Sequence, residues 1–329
     1  MEQVSRATFP VIHSTLDPAA LADEVRRRYG LDVRRCRLIA RGSNDFYRVD
    51  DVEGRHALRV SRAGYRSAQD VGYELGLLRW LAAAGLPVPT PRPQLDASPF
   101  FTLAAPEGER PVVLLSWIDG QPLGHDMSVA EGDAAGRLLG RLQLAARGFD
   151  PPYVKRIDTV ARIERQLRFV DGVLHVGSES RSAFDRGLAA VRAFFAGPGP
   201  AALPTGPTHG DFQFANVMKC GDGSLWPVDF DDCGFDLLAK DLVTFEWRAR
   251  LERLPQPVID AFEAGYLAAR PMSAAERAAL PVLRIARDLY LLVSYCAYID
   301  RIGPVAGFER ESRLVELLLE DLRRAGLDG

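Results

Sequence analysis

The sequence predicts an α+β protein with a small, sheet-rich N-terminal lobe and a larger, mostly helical C-terminal lobe. Three observations carry this reading. Short strand-like runs separated by turn residues fill 37–60, long helical periodicity begins after 119, and a Gly/Pro-rich break at 197–207 precedes a compact loop with two short strands. A length of 329 residues suits one large domain or two lobes. Such a chain buries roughly three quarters of its unfolded surface and needs no disulfide or metal staple. With 47% hydrophobic and 26% charged residues, wholesale disorder is excluded. The balance of 41 Lys+Arg against 44 Asp+Glu, net −3, lacks the footprint of a dedicated nucleic-acid binder. No apolar run reaches membrane-spanning length, and the N-terminus MEQVSRATFP lacks the order of a signal peptide. The four cysteines (36, 220, 233 and 296) form no CxxC pair, which suits reduced thiols. The expectation is a cytoplasmic protein, monomer or homodimer, with neither nucleic-acid nor membrane partners.

The elements follow in order. A helix is predicted over 18–29, capped by Asp17, opened by Pro18 and closed by Gly30. Strands at 37–40, 46–49 and 56–60 are separated by turns at 42–45 and 51–54, as in an antiparallel meander. Apolar residues at 71, 75, 78, 81 and 82 predict an amphipathic helix over 68–84, which Gly85 and the prolines at 87, 89, 91 and 93 terminate. Strands follow at 100–103 and 112–118. Ser128 and Glu131 form a capping box before a helix that closes near Gly148. Helices are then expected at 158–174, 179–196, 256–269, 274–301 and 309–325. There is no internal repeat.

The chemistry concentrates in 208–241, THGDFQFANVMKCGDGSLWPVDFDDCGFDLLAKD. It places an acid in a His-Gly-Asp turn (Asp211), an amide five residues later (Asn216), and a hairpin of 217–219 with 225–228 about Gly221-Asp222-Gly223. The hairpin returns Asp229 beside Asn216, so a carboxylate and an amide oxygen converge where a hard cation could sit. Asp211 stands close by, able to take a proton from an attacking hydroxyl. Those are the parts of phosphoryl transfer. Asp and Asn are also common turn residues, and Asp222 is read as one; three together at this spacing are not explained that way.

His209-Gly-Asp211-Phe-Gln-Phe-Ala-Asn216 and Val228-Asp229-Phe-Asp-Asp resemble the H-x-D-x-x-x-x-N and I-D-F-D motifs of the aminoglycoside phosphotransferase/choline kinase family. The resemblance spans about 35–300 and is most specific within 208–241. It implies a bilobal protein-kinase-like fold, Asp211 as catalytic base, Asn216 and Asp229 as Mg²⁺ ligands, and MgATP as phosphoryl donor. It further implies His209 as a brace of the loop and Asp241 as the acid supporting that loop from behind.

In the N-terminal lobe, Ala57-Leu58-Arg59-Val60 sits where the family places V-A-x-K, and Glu74 lies on the following helix. Arg59 stands in place of the more familiar lysine. It keeps the charge but offers a planar fork, not a point charge. The loop 41–47 is no GxGxxG; Ser43, Asn44 and backbone N–H groups are its candidate phosphate contacts. Trp117 and Ile118 resemble the family's adenine-binding hinge, Trp117 reading equally as core. For the acceptor, the candidates are Gln213, Asp231, Asp232, Glu246, Arg284, Arg287, Asp288, Tyr295 and Tyr298. Many acids favour a polyamine cation such as an aminoglycoside, whereas the Arg287 region favours an amino acid or acidic sugar. The expected organisation is a helical extension over 1–34, a nucleotide-binding lobe over 35–118, and a helical lobe over 119–329 carrying the catalytic loop and acceptor site. The expected activity is ATP-dependent phosphorylation of a small hydroxylated molecule: antibiotic, amino alcohol, sugar or homoserine-like amino acid. A bacterial stress-response type of serine/threonine protein kinase and a non-catalytic pseudokinase are the alternatives.

Overall fold

The computed structural model describes residues 9–42, 44–175, 177–302 and 310–327. The chain divides into two compact units, Met1–Asp119 with Pro151–Tyr153, and Gly120–Asp150 with Val154–Gly329.

The first unit opens with α1 (Pro18–Tyr29), where the Asp17 carboxylate accepts the Ala19 N–H and Gly30 ends the helix in the left-handed region. Strands β1 (Val33–Arg41), β2 (Asn44–Asp51) and β3 (Arg55–Ser61) form the meander; α2 (Ala68–Ala83), β4 (Phe101–Ala105) and β5 (Gly108–Ser116) follow. The sheet order is β1-β2-β3-β5-β4, every neighbour antiparallel. Period-two alternation puts Tyr47, Val49, Leu58, Val60, Val112 and Leu114 on one face. Leu21, Val25 and Tyr29 of α1 pack into that same core, so the helix expected within a separate 1–34 extension belongs to this unit. Of the turn expected over 42–45, Asn44 and Asp45 belong to β2, and Ser43 lies outside the described residues. Asp45 is fully buried there, since the equally buried Arg110 guanidinium reaches its carboxylate at 2.8 Å. Helix α2 carries a complete capping box between Ser67 and Asp70.

The second unit comprises β6 (Gly120–Pro122), α3 (Val129–Ala145), α4 (Thr159–Glu164), α5 (Glu179–Ala196), β7 (Thr205–Thr208), β8 (Val217–Cys220), β9 (Leu225–Pro227), β10 (Gly234–Leu237), α6 (Ala239–Leu251), α7 (Gln256–Ala269), α8 (Ala274–Ile302) and α9 (Arg310–Arg324). Its core joins α5, α6, α8 and α9 through Phe184, Leu188, Trp247, Leu289, Leu292, Leu318 and Leu322. The helix expected over 158–174 is instead α4 and then a 3₁₀ stretch, Leu167–Gly172. The three-residue period of that stretch holds Leu167 and Val170, with Val173 beyond it, against the core. Helices α3 and α7 approach at backbone distance. A Cβ on Gly136 would lie 2.0 Å from the Phe262 carbonyl oxygen. Among the described residues, no helix is long and apolar enough to cross a membrane.

Candidate active site

The catalytic-loop candidate leaves β7, which pairs antiparallel with β10. It turns at Gly210 with φ +83°, where a Cβ would stand 2.2 Å from the Asp232 carbonyl oxygen. Only glycine fits. The loop runs into a 3₁₀ turn, Phe214–Asn216, and the hairpin of β8 and β9 brings the chain back. There the Val228 N–H donates to the Asn216 carbonyl at 2.8 Å, which sets Asp229 next to the Asn216 backbone. Asp229 itself adopts φ 63°, ψ 62°, a left-handed conformation uncommon outside glycine and characteristic of constrained sites.

His209 and Asp241 hold this loop. The His209 ring is fully buried; its Nε2 meets the Val228 carbonyl at 3.1 Å, and its Nδ1 accepts the Asp211 N–H at 3.3 Å. Burial pushes its pKa down, so the ring is neutral, and these partners assign the proton to Nε2. Asp241, 1% exposed, accepts the N–H groups of His209 and Gly210, each at 2.9 Å. Burial pushes its carboxyl up from the ordinary value, against the pull of these donors. The Gln143 amide also donates to it at 3.2 Å. Tyr266 donates to Gln143, Arg270 to Tyr266 and again to Glu276, so a buried polar chain continues behind the loop.

Asp211 is partly exposed. Its Oδ2 accepts Gln213 Nε2 at 2.8 Å and Asn216 Nδ2 at 3.0 Å, while Arg287 donates to Oδ1 at 2.6 Å. Asn216 Nδ2 also donates to the Asp211 carbonyl. With its amide nitrogen so engaged, Asn216 has its oxygen left for a cation, and Asp229 follows Val228 at the end of the hairpin, whose N–H is bonded to the Asn216 carbonyl. One amide and one carboxylate fit a hard divalent ion that keeps positions for phosphate and water oxygens. Among the described residues, no group of three or more His, Cys, Asp or Glu side chains is arranged to hold a metal.

In the first unit, Arg59 on β3 and Glu74 on α2 form a two-pronged pair at 2.6 and 2.5 Å, with side chains 1% and 3% exposed. Asn44 opens β2 and is buried. Trp117 follows β5 with the guanidinium groups of Arg48 and Arg55 at 5.7 and 5.8 Å from its ring; its indole N–H is buried without a partner among the described residues. Ile118, next along the chain, is partly buried. Ser43 lies outside the described residues.

The acceptor candidates separate. A cavity in the second unit is lined by Thr159, Arg162, Gly210, Asp232, Lys240, Arg287 and neighbours on α6 and α8. Arg162 pairs with Asp232 at 2.8 Å, and Lys240 pairs with Asp236. Gln213 is held by Asp211. Asp231 is buried, and its carbonyl accepts Lys155 Nζ at 2.9 Å. Glu246 and Arg284 pair with each other at 2.8 Å away from the lining. Asp288 and Tyr295 do not face the cavity: both are buried among the helices, and burial together with neighbouring Asp321 drives the Asp288 carboxyl well up. Tyr298 is 39% exposed on the same helix. The sequence reading missed Arg162, Lys240, Lys155 and Gln143. For three of them the partners lie outside any local motif, as for Lys155 and Asp231, 76 residues apart, or Gln143 and Asp241, 98 apart; Lys240 instead pairs four residues back with Asp236.

The antiparallel sheet with its helix-paired arginine, and the helical unit with its His-Gly-Asp loop, define a protein-kinase-like α+β fold. The model of the phosphotransferase enzyme family matches residues 35–280. The chain belongs to that family and is an enzyme, a phosphotransferase with an alcohol group as acceptor. An uncharacterized protein of Deinococcus radiodurans is 32% identical over 296 residues, 88% of this chain and 84% of that one. A homoserine kinase of Rhizobium etli is 30% identical over 224 residues, 65% of each chain. Among solved structures, a microcompartment-associated aminopropanol kinase shares the fold, with a TM-score of 0.73 over 94% of this chain and 98% of that one at 21% identity.

Proposed function

We propose that this phosphotransferase moves the γ-phosphate of MgATP to a hydroxyl of a small molecule. The supporting observation is Asp211. It is a partly exposed carboxylate whose backbone is fixed by the neutral His209, on a loop whose preceding N–H groups are gripped by Asp241. MgATP, when bound, supplies the transferable phosphoryl group and the divalent charge that screens it. Asp211 takes the proton of the acceptor hydroxyl and orients it. Asn216 and Asp229 hold the metal. Arg59, kept in place by Glu74, neutralises phosphate charge, with the loop about Asn44 and the Trp117-Ile118 segment as further nucleotide contacts. Catalysis of this kind is mainly positioning and electrostatics. The chain's own relatives include proteins named for homoserine and for aminopropanol, both small hydroxylated amines. A protein-kinase reading has little support, because residues 230–240 are taken up by a 3₁₀ turn, β10 and the start of α6, with no room for an activation segment.

The test is ADP release with Mg²⁺ and ATP across aminoglycosides, amino alcohols, sugars and hydroxy amino acids. Asp211→Asn should lower acceptor-stimulated turnover by about 10²–10⁴-fold, the usual contribution of a general base, while ATP binding by calorimetry stays as in the wild type. Wild-type turnover in that variant would end the assignment.

A further inference from the structure

Three contacts on Asp211 leave little choice about where a hydroxyl can arrive. A carboxylate offers about four acceptor positions, two per oxygen. Oδ2 already takes Gln213 and Asn216, and Oδ1 takes Arg287. The remaining position is on Oδ1, beside the Arg287 guanidinium. An acceptor that gives its proton to Asp211 is therefore placed against an arginine.

That arginine is built to bind more than Asp211. It stands on α8 within a stripe of Leu283, Ala286, Arg287 and Tyr290 that lines the cavity, the i, i+3, i+4, i+7 face of the helix. Its side chain is 13% exposed, and its guanidinium carbon lies 5.5 Å from the Trp247 ring centroid and 6.0 Å from that of Tyr290, which restrict its orientation. Among the described residues a single N–H of the fork is hydrogen-bonded, the one on Asp211; the buried Nε–H has no partner. The other two cations of the lining are matched otherwise, Arg162 by Asp232, and Lys240 by Asp236 and Thr159. A carboxylate suits the planar fork of an arginine, whereas an ammonium group beside it is repelled in so enclosed a place.

We infer that Arg287 recognises a carboxylate on the acceptor, so that this chain phosphorylates hydroxyl-bearing carboxylic acids, hydroxy amino acids among them, in preference to the corresponding amino alcohols. The inference rests on the proposed role of Asp211 and narrows the acceptor class for that site. Arg287 thereby sets specificity and positions the hydroxyl at Oδ1.

Matched pairs that differ by one carboxylate test it: L-homoserine against 3-aminopropan-1-ol, L-threonine against 1-aminopropan-2-ol, and L-serine against ethanolamine. Each is titrated calorimetrically into the wild-type protein, Arg287→Lys and Arg287→Met, and each is assayed as an acceptor for ADP release. In the wild type, at least one carboxylate member should bind tenfold or more tightly than its decarboxylated partner. Arg287→Met should abolish that ratio and Arg287→Lys should keep part of it. In turnover, the ratio of KM values within the pair should shift by the same factor. Equal or tighter binding of the amino alcohols to the wild type overturns the inference, as does the absence of binding by every hydroxy carboxylate. The phosphotransfer reading survives either result if amino-alcohol-stimulated ADP release is present and lost in Asp211→Asn. Carboxylate-selective binding that Arg287→Met removes, with no ADP release from any acceptor, upholds Arg287 as the anion site and ends the phosphotransfer reading instead.

Discussion

The Arg59–Glu74 pair allows its role in function to be separated from any role in stability. Two charge-assisted hydrogen bonds join these groups, and neither side chain exceeds 3% exposure, so water cannot replace a lost partner. At about 1.5–3 kcal/mol per bond to a charged group, removal of one partner should cost about 3–5 kcal/mol, the range for breaking a buried pair. Glu74→Leu removes two acceptors from a buried guanidinium, and Arg59→Met strands a carboxylate. The double variant Arg59→Met/Glu74→Leu removes both charges of the pair, and its apolar side chains can pack against α2 and the sheet. It should recover the loss and stand within about 1–4 kcal/mol of the wild type on the stable side. Urea unfolding, with midpoint and slope fitted together, reads these values. ATP titration of the same proteins reads function: the double variant should fold as well as the wild type and bind ATP at least tenfold more weakly. If it folds well and binds ATP as before, Arg59 is not the phosphate ligand. If its stability loss equals the sum of the two single losses, the claim that only the unpaired charges are costly is wrong.

Gly210→Ala should remove most turnover while leaving the overall fold intact. Its φ of +83° costs an alanine about 1–2 kcal/mol, and the 2.2 Å clash with the Asp232 carbonyl forces the loop carrying Asp211 to move; wild-type kcat in this variant would mean that the loop tolerates displacement. A third prediction concerns acid stability. Lys219, with the backbone and hydroxyl of Ser128, holds the Glu131 carboxyl down at about 2. A folded value below the ordinary 4.5 stabilises the protein above that pH and is lost as pH falls toward 2. Glu131→Gln keeps a side chain able to cap but loses the charge, so it should lower stability by about 0.2–1 kcal/mol at pH 7, the worth of an exposed ion pair, and the gap to wild type should close by pH 2. A gap that stays constant with pH would show that the effect is not ionic.

Elements with strong local signals were legible in the sequence. The spacing of Val71, Leu75, Leu78 and Leu81 gave α2, and the Ser128/Glu131 box gave the start of α3, because caps and periodicity act within a few residues. The association of Asp211 with Asn216 was equally local, a matter of one turn. Long-range pairing was not legible. Strand β7 lies at the end of the Gly/Pro-rich break and contains Gly206 and Pro207, so its composition argued for a turn; only β10, from across the loop, makes it a strand. The α1 helix read as an extension because nothing in 18–29 names the sheet face that covers Leu21 and Val25. The contact between Arg287 and Asp211 spans 76 residues and joins a mid-helix charge to a loop acid. No spacing rule connects them. A different kind of signal was present and unused: Gly132, Gly136 and Gly140 recur every four residues on α3, the face that α7 meets at backbone distance.

The loop's two supporting ionisable groups also bear on what controls the reaction near neutral pH. His209 is held neutral with both ring nitrogens engaged, so it has neither a proton to give nor a lone pair to offer. Its folded pKa is below the ordinary 6.5, so the unfolded chain binds the extra proton first, and acidification below about 6.5 destabilises the loop. Asp241 acts in the opposite sense. Its folded pKa is above the ordinary 3.8, so the folded state holds the proton longer, and this contribution to stability declines as pH rises from about 4. Each N–H that Asp241 accepts offsets part of the cost of its buried charge, and those N–H groups belong to the two residues just before Asp211. Rigidity of the loop is thus obtained from buried groups whose hydrogen-bonding atoms are turned to the loop itself. Under the proposed function the proton of the incoming hydroxyl falls to Asp211, a loop carboxylate that is partly exposed and held by three donors.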